Sequence, residues 1–134
     1  MAKAAPSPAL TVGQQSTYVL TVTNAGALSL DAILGGMSAL VKNGAATLTL
    51  NSISTFTGGT TLNTGTLALG GSNRLKTTGA LTQNAGVFDL GGFDQQLGTL
   101  TLVDGTIQNG NLSVTTLGLQ NGTIDAVLAN GGGL

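Results

Sequence analysis

Histidine and cysteine are both missing from this chain of 134 residues. Zinc and iron–sulfur centres, thiol nucleophiles and Ser-His-Asp triads therefore drop out together, because each needs an imidazole or a thiolate. Charge is scarce as well. Charged residues make up 7% of the sequence and aromatic residues 3%, against a charged share of about 25% in ordinary globular chains. The four basic residues, Lys3, Lys42, Arg74 and Lys76, are too few and too dispersed to neutralise a row of phosphates, so nucleic acid is not an expected partner. Zero cysteine fits a reducing cytosol and equally a secreted bacterial protein that avoids thiols. No apolar run approaches the roughly 18 residues that cross a bilayer, so no membrane span is expected. Disorder goes with low hydrophobicity and high net charge, whereas this chain is 41% hydrophobic with a net charge of −1. It should fold.

What the chain does hold is a repeated phrase. Residues 65–71 read GTLALGG, and the phrase returns as GTLTL at 98–102 and is echoed by GTIQNG from Gly105 and GTIDAV from Gly122. Apolar pairs recur at spacing two, as in Leu48/Leu50, Leu67/Leu69, Phe88/Leu90, Leu100/Leu102, Leu112/Val114 and Leu117/Leu119. That spacing puts both side chains on one face of a strand. The intervals between glycines are too short for helices, and Thr, Val and Ile favour strands. Equivalent strands return roughly every 17 to 21 residues, a solenoid period. The fold predicted for residues 31–134 is all-β, a parallel β-helix with two or three short strands per turn. Leu, Ile and Val stack inward, Thr, Ser, Asn and Gln face water, and glycine supplies the corners. A lone turn would not stand: ordering about 20 residues costs on the order of 20–40 kcal/mol of backbone entropy. Four or five buried aliphatic side chains return only about 1.5–3 kcal/mol each, so neighbouring turns must carry one another.

Residues 1–30 read as a lead with a strand pair or cap after it. The AKA at 2–4 has the small-x-small pattern left near a signal cleavage site, a pattern that an ordinary flexible N-terminus also produces. Tyr18, Leu20 and Val22 alternate with Val19, Thr21 and Thr23 before an Asn-Ala-Gly turn, the mark of a half-buried strand. The stretch P-x-L-x-V-G-x-x-x-x-Y-x-L-x-V-x-N-x-G ending at Gly26 resembles the opening two strands of the Ig-like conserved-repeat domains of bacterial surface proteins. A sandwich needs about seven strands, so this segment is expected either to cap the solenoid that begins at residue 31 or to find its partners in another chain.

Residues 39–70, ALVKNGAATLTLNSISTFTGGTTLNTGTLALG, closely resemble the autotransporter passenger-associated repeat, of approximate form L-x-K-x-G-x-G-T-L-T-L-x-x-x-N-T-Y-T-G-G-T-T-I-N-x-G-T-L. Lys42, Gly44, Thr55, Asn63, Gly65 and the runs 47–50, 57–61 and 65–67 match it. Ala46 replaces a Gly, Ser54 an Asn and Phe56 the Tyr. Residues 79–102 are similar to the segment that commonly continues such repeats. The resemblance implies a right-handed β-helical stalk in a secreted or surface-displayed bacterial protein, with no catalytic residues attached to the repeat. A full autotransporter also carries a signal peptide and a C-terminal membrane barrel, so the secretion route does not transfer with the repeat.

Other readings compete for particular residues. Asp89 and Asp94 straddle LGGF; as a catalytic pair they would need a cleft and a raised pKa on one partner, and as corner residues they need only water. The GGFD they frame faintly echoes calcium-binding nonapeptides, but it does not repeat, and calcium takes six to eight oxygen ligands. Thr47/Thr49 and Thr99/Thr101 have the T-x-T form of water-ordering solenoid faces, a rank that TLAL and VFDL interrupt. Arg74 and Lys76 read as a solvated turn. Of the four aromatic residues Phe56 and Phe88 read as core, so only Tyr18 and Phe93 are left to stack on a sugar and carbohydrate binding is unsupported; the few charges offer no groove of the pectin-lyase type. Asn111 and Asn121 each begin an Asn-x-Ser/Thr triplet, which reads as chance in a bacterial setting. No enzyme activity, cofactor or metal is expected. A solenoid's ends expose unpaired strand edges, and the candidate assembly edge is Tyr18, Leu20 and Val22 at one end with Leu128 and Leu134 at the other. The expected function is a structural stalk or display module at the cell surface; the alternative is a subunit of an extracellular filament, a homo-oligomer joined end to end or by strand donation.

Overall fold

The computed structural model describes residues 19–31, 39–55 and 57–130, and among these there is no helix. Eleven strands succeed one another: β1 (Val19–Thr23), β2 (Leu28–Leu30), β3 (Ala39–Asn43), β4 (Thr47–Leu50), β5 (Thr60–Leu62), β6 (Thr66–Leu69), β7 (Ala80–Gln83), β8 (Val87–Asp89), β9 (Asp94–Leu102), β10 (Thr106–Leu119) and β11 (Thr123–Asn130). Every pairing between them is parallel. Odd strands stack on odd ones, β1-β3-β5-β7-β9, and even on even, β2-β4-β6-β8-β10, with β9 and β10 long enough to join the two runs. The chain is a parallel β-solenoid of about five turns.

The solenoid has three sides. The first is built by β1, β3, β5, β7 and the C-terminal parts of β9 and β10. The second holds β2, β4, β6, β8 and the N-terminal parts of β10 and β11. The third changes character along the axis. Early turns close it with irregular segments at 51–55, 57–59 and 70–79, and later turns with true strands at 94–97, 111–114 and 127–130. Shorter connections shorten the turn: Asn84 comes 21 residues after its stacked partner Asn63, whereas Asn111 comes 17 after Asp94.

Spacing-two alternation does place the leucines inward. One core column runs Leu28, Leu48, Leu67, Phe88, Ile107, Ile124. A second runs Leu20, Leu40, Thr60, Leu81, Leu100, Leu117. From Leu48 to Ile107 the first column is wholly buried. The corner between first and second sides is a glycine ladder: Gly44, Gly65, Gly86, Gly105 and Gly122 all have φ between +75° and +100°. A Cβ on Gly65, Gly86 or Gly105 would collide with the carbonyl oxygen of the glycine one turn earlier. Glycine is required twice over, by backbone hand and by the close approach of successive turns.

Residues 19–30 form the first turn of this stack. β1 pairs with β3 from Val19↔Ala39 to Thr23↔Asn43, and β2 pairs with β4 from Leu28↔Leu48 to Leu30↔Leu50. Strand alternation predicted from Tyr18 onward is therefore present over 19–23, but the partner of β1 lies 20 residues further on and not in β2. The even rise of the solenoid explains this: an Asn-Ala-Gly corner turns the chain to the next side and leaves no hairpin.

Candidate functional site

The corner also holds the chain's most unusual side chains. Stacked at one inward position are Val22, Lys42, Leu62, Gln83, Leu102 and Leu119. Lys42 and Gln83 are fully buried. Lys42 Nζ donates to the carbonyl oxygens of Asn43 at 2.7 Å and Gly44 at 2.8 Å, and reaches that of Thr64 in the next turn at 3.5 Å. Gln83 Nε2 donates to Gly86 O and, one turn on, to Thr106 O, both at 3.0 Å. Buried Asn24 obeys the same rule: its Nδ2 donates to Gly26 O and to Thr47 O of the next turn, both at 2.9 Å. Each side chain thus staples its own turn to the following one.

The geometry demands donors. The sharp glycine corner turns carbonyls toward the interior, where water cannot reach them, and an unpaired buried carbonyl is costly. Gln83 Oε1 and Asn24 Oδ1, the acceptor ends of the two amides, have no protein partner. Lysine has three donors and no acceptor, so it fits this corner better than an amide does. Its cost is charge: burial holds the Lys42 ammonium below its ordinary pKa of 10.5. The expectation that Gln faces water fails at Gln83 and Gln95, which are buried, and Lys42 was not expected inside; the signal that could have found Lys42 and Gln83 is spacing. Lys42 comes two residues after Leu40, and Gln83 two after Leu81.

Outside the corner runs an asparagine ladder. Asn63 Nδ2 donates to Asn43 Oδ1 at 2.9 Å, and Asn84 Nδ2 to Asn63 Oδ1 at 2.8 Å. Similar polar pairs tie the third side. Gln95, buried, exchanges hydrogen bonds with the backbone of Leu75 at 3.0 Å each way. Asn73, at φ +52°, accepts from Gln96 N through Oδ1 at 2.8 Å, standing in for a strand where the loop has none.

The sequence candidates fall in separate places. Asp89 Oδ1 accepts from Gly91 N at 2.8 Å and from Asn109 Nδ2 at 3.2 Å, whereas Asp94 Oδ1 accepts from Asn111 Nδ2 at 2.7 Å. Each carboxylate is tied to a different asparagine one turn later. Among the described residues no group of three or more His, Cys, Asp or Glu side chains gathers to hold a metal. Thr47/Thr49 lie over Thr66/Ala68 and then Val87/Asp89 on the second side, while Thr99/Thr101 lie on the first. The two T-x-T pairs do not share a face. Arg74 donates through Nη1 to Ser72 O at 2.9 Å, and beside it Ile53, Ser54, Asn73, Leu75 and Lys76 line a shallow concavity of about 240 Å³. Phe88 is buried as core; Phe56 lies outside the described residues, and Phe93 is 37% exposed.

Of the candidate assembly edge, Tyr18 and Leu134 lie outside the described residues. Leu20 is half-buried and Val22 buried, both pointing inward from β1. Leu128 is half-buried on β11, where with Leu102, Leu119, Ile124 and Ala126 it lines an open apolar concavity of about 510 Å³. Among the described residues β11 pairs only with β10.

Residues 40–69 match the family of the passenger-associated-transport-repeat. The match runs from Leu40 in β3 to Leu69 at the end of β6, taking in two glycine corners and the Lys42 staple between them. No curated protein matches the chain, and no solved structure does.

Proposed function

We propose, for a chain that carries a passenger-associated-transport-repeat in two of its turns, a structural and non-catalytic role: a β-solenoid stalk or display segment of a secreted or surface-displayed bacterial protein. The observation that carries this reading is continuity. The matched turns at 40–69 share their core columns and their glycine corner, without interruption, with the turns on either side. At about 4.8 Å per turn, a stack held in this way is a spacer whose length grows with the number of turns. Side chains that could do chemistry are used as staples: Lys42, Gln83, Asn24 and Gln95 are buried on backbone carbonyls.

The test places the whole chain between an N-terminal epitope and a bacterial outer-membrane translocation barrel. Flow cytometry of intact cells should find the epitope at the surface, and added protease should leave the solenoid intact. Disrupting the core with Leu67→Asp should abolish protease resistance. A displayed chain as labile as that variant would sink the stalk reading. The second reading, an end-joined filament, has its own test: mass climbing without limit in a light-scattering concentration series would establish it, and a constant mass would remove it.

A further inference from the structure

Four asparagines are followed directly by glycine: Asn43, Asn109, Asn121 and Asn130. Asparagine is a labile side chain, and a following glycine makes it more so, because a glycine nitrogen with no Cβ beside it has an unhindered approach to the asparagine Cγ. The residue after Asn130 lies outside the described ones. The other three differ in their surroundings. Asn43 is half-buried between turns: its Oδ1 accepts from Asn63 Nδ2 at 2.9 Å, its carbonyl oxygen accepts from Lys42 Nζ at 2.7 Å, and a Cβ on Gly44 would lie 2.5 Å from Asn24 O. Asn109 donates through Nδ2 to Asp89 Oδ1 at 3.2 Å, and a Cβ on Gly110 would strike Leu90 Cβ and Phe93 O. Asn121 is exposed, and among the described residues neither its side chain nor Gly122 N makes a hydrogen bond. No described strand stacks beyond β11 to cover it.

One turn earlier, the same corner shows where such a side chain goes. Asp104 is the stacked neighbour of Asn121, since Thr123 N donates to Gly105 O and β11 pairs with β10 from Thr106↔Thr123. Gly105 N donates to Asp104 Oδ1 at 2.8 Å. Gly105 and Gly122 share a φ of +100°, so the same pose sets the Asn121 amide carbon beside Gly122 N, the approach from which ring closure begins. A neutral amide is also a better electrophile than a carboxylate. The fold cannot escape this chemistry by changing the glycine, because the corner requires it.

We propose that Asn121 is a self-modification site, converted in the folded chain to aspartate or isoaspartate by attack of Gly122, and that the conversion loosens β11. Gly122 N gives up its proton to solvent and bonds to Asn121 Cγ. The Cγ–Nδ2 bond breaks, Nδ2 leaves as ammonia, and a cyclic imide closes. Water then opens the ring: attack at Cγ yields aspartate, and attack at the main-chain carbonyl yields isoaspartate, in which the backbone runs through the former side chain. In sum one water enters and one ammonia departs, with nothing oxidised or reduced. Either product sets a new carboxylate one strand spacing, ~4.8 Å, from Asp104. Isoaspartate also lengthens the backbone by one carbon at a corner where a Cβ on Gly122 would lie only 2.7 Å from Gly105 O. None of this depends on the role of the solenoid as a stalk.

The test incubates the whole chain in mildly alkaline buffer, folded and in parallel in urea, then unfolds it and cuts it after leucine. Fragment 120–128 holds Asn121 as its one asparagine, and fragment 41–48 holds Asn43. Mass spectrometry reads the replacement of NH2 by OH in each, and chromatography separates isoaspartate from aspartate. In urea the two sites should react at similar rates. In the folded chain Asn121 should keep nearly that rate, while Asn43 slows by about tenfold or more because its corner must first open. The rate at Asn121 should climb in proportion to hydroxide, as loss of the Gly122 proton demands, and Asn121→Gln should remove the product from that fragment. Once converted, the chain should exchange its amide hydrogens faster over 123–130 and no faster over 80–83. Folded-state rates that match at Asn43 and Asn121, or exchange over 123–130 that conversion leaves unchanged, would overturn the proposal.

Discussion

Lys42 and Leu62 occupy the same inward column one turn apart, as do Gln83 and Leu102, yet one member of each pair is polar and the other a hydrocarbon. All four are fully buried. The difference is explained by reach. Lys42 extends to Thr64 O and Gln83 to Thr106 O, each in the turn that a leucine then fills. One donor serves two corners, so the next turn is free to use its side chain for packing. A polar residue at every turn would waste core volume, and a leucine at every turn would leave buried carbonyls short of donors.

The largest effect should come from the hydrocarbon members. Leu62 and Leu102 lie between turns above and below, and truncating either to Ala should cost about 2–5 kcal/mol by lost contacts and an unfilled cavity. Leu119→Ala, in the same column but 58% exposed, should cost less than about 1 kcal/mol. Chemical denaturation monitored by circular dichroism measures both; equal losses at Leu102 and Leu119 would mean that stacking is not what buries the column.

Next in size is the backbone of the corner. Gly65→Ala combines a left-handed residue with collisions against Gly44 O, Ala46 O and Lys42 Nζ. Gly92 has φ +86°, but a Cβ there meets nothing within 4 Å. Gly92→Ala should therefore cost only the left-handed penalty of about 1–2 kcal/mol, and Gly65→Ala clearly more. A matched loss in the two variants would show that the close approach of successive turns contributes nothing.

These contrasts mark what the sequence could and could not tell. Leucines at spacing two and glycines between them were enough for the parallel solenoid, because both signals are local: one sets the face and the other the turn. The partner of β1 was not legible, since alternation over 19–23 says which side chains point inward and nothing about which strand lies alongside. Lys42 and Gln83 were legible only by position, being two residues after Leu40 and Leu81. The need they meet, inward carbonyls at a glycine corner, exists only once two turns are stacked. The separation of the two T-x-T pairs onto different sides was hidden for the same reason.

Smaller again is the loss of one staple. Gln83→Leu removes the donor to Gly86 O and Thr106 O, while Gly86 O keeps the backbone bond from Thr106 N at 2.9 Å. The variant also discards an unpaired buried acceptor, Gln83 Oε1. A net cost of about 1 kcal/mol is expected, and hydrogen exchange should quicken at the corners 84–86 and 103–106 before it does elsewhere. Uniform quickening along the chain would count against a staple that joins two particular turns.

The last contrast sets lysine against glutamine in one role. Burial lowers the pKa of Lys42 in the folded chain below 10.5, while the unfolded chain keeps the ordinary value. Between those two values the unfolded state binds more protons than the folded one, so stability rises with pH across that window. Below the lowered pKa both states hold the proton and the slope vanishes; above 10.5 neither does. Lys42→Gln carries the amide of Gln83 into the earlier turn and has no proton to lose, so its stability should lack this alkaline rise. The difference between the two curves isolates Lys42, because every other group is common to both chains. Parallel curves would mean that the ammonium is as well solvated in the corner as in water, and that its three carbonyl partners fully replace its hydration.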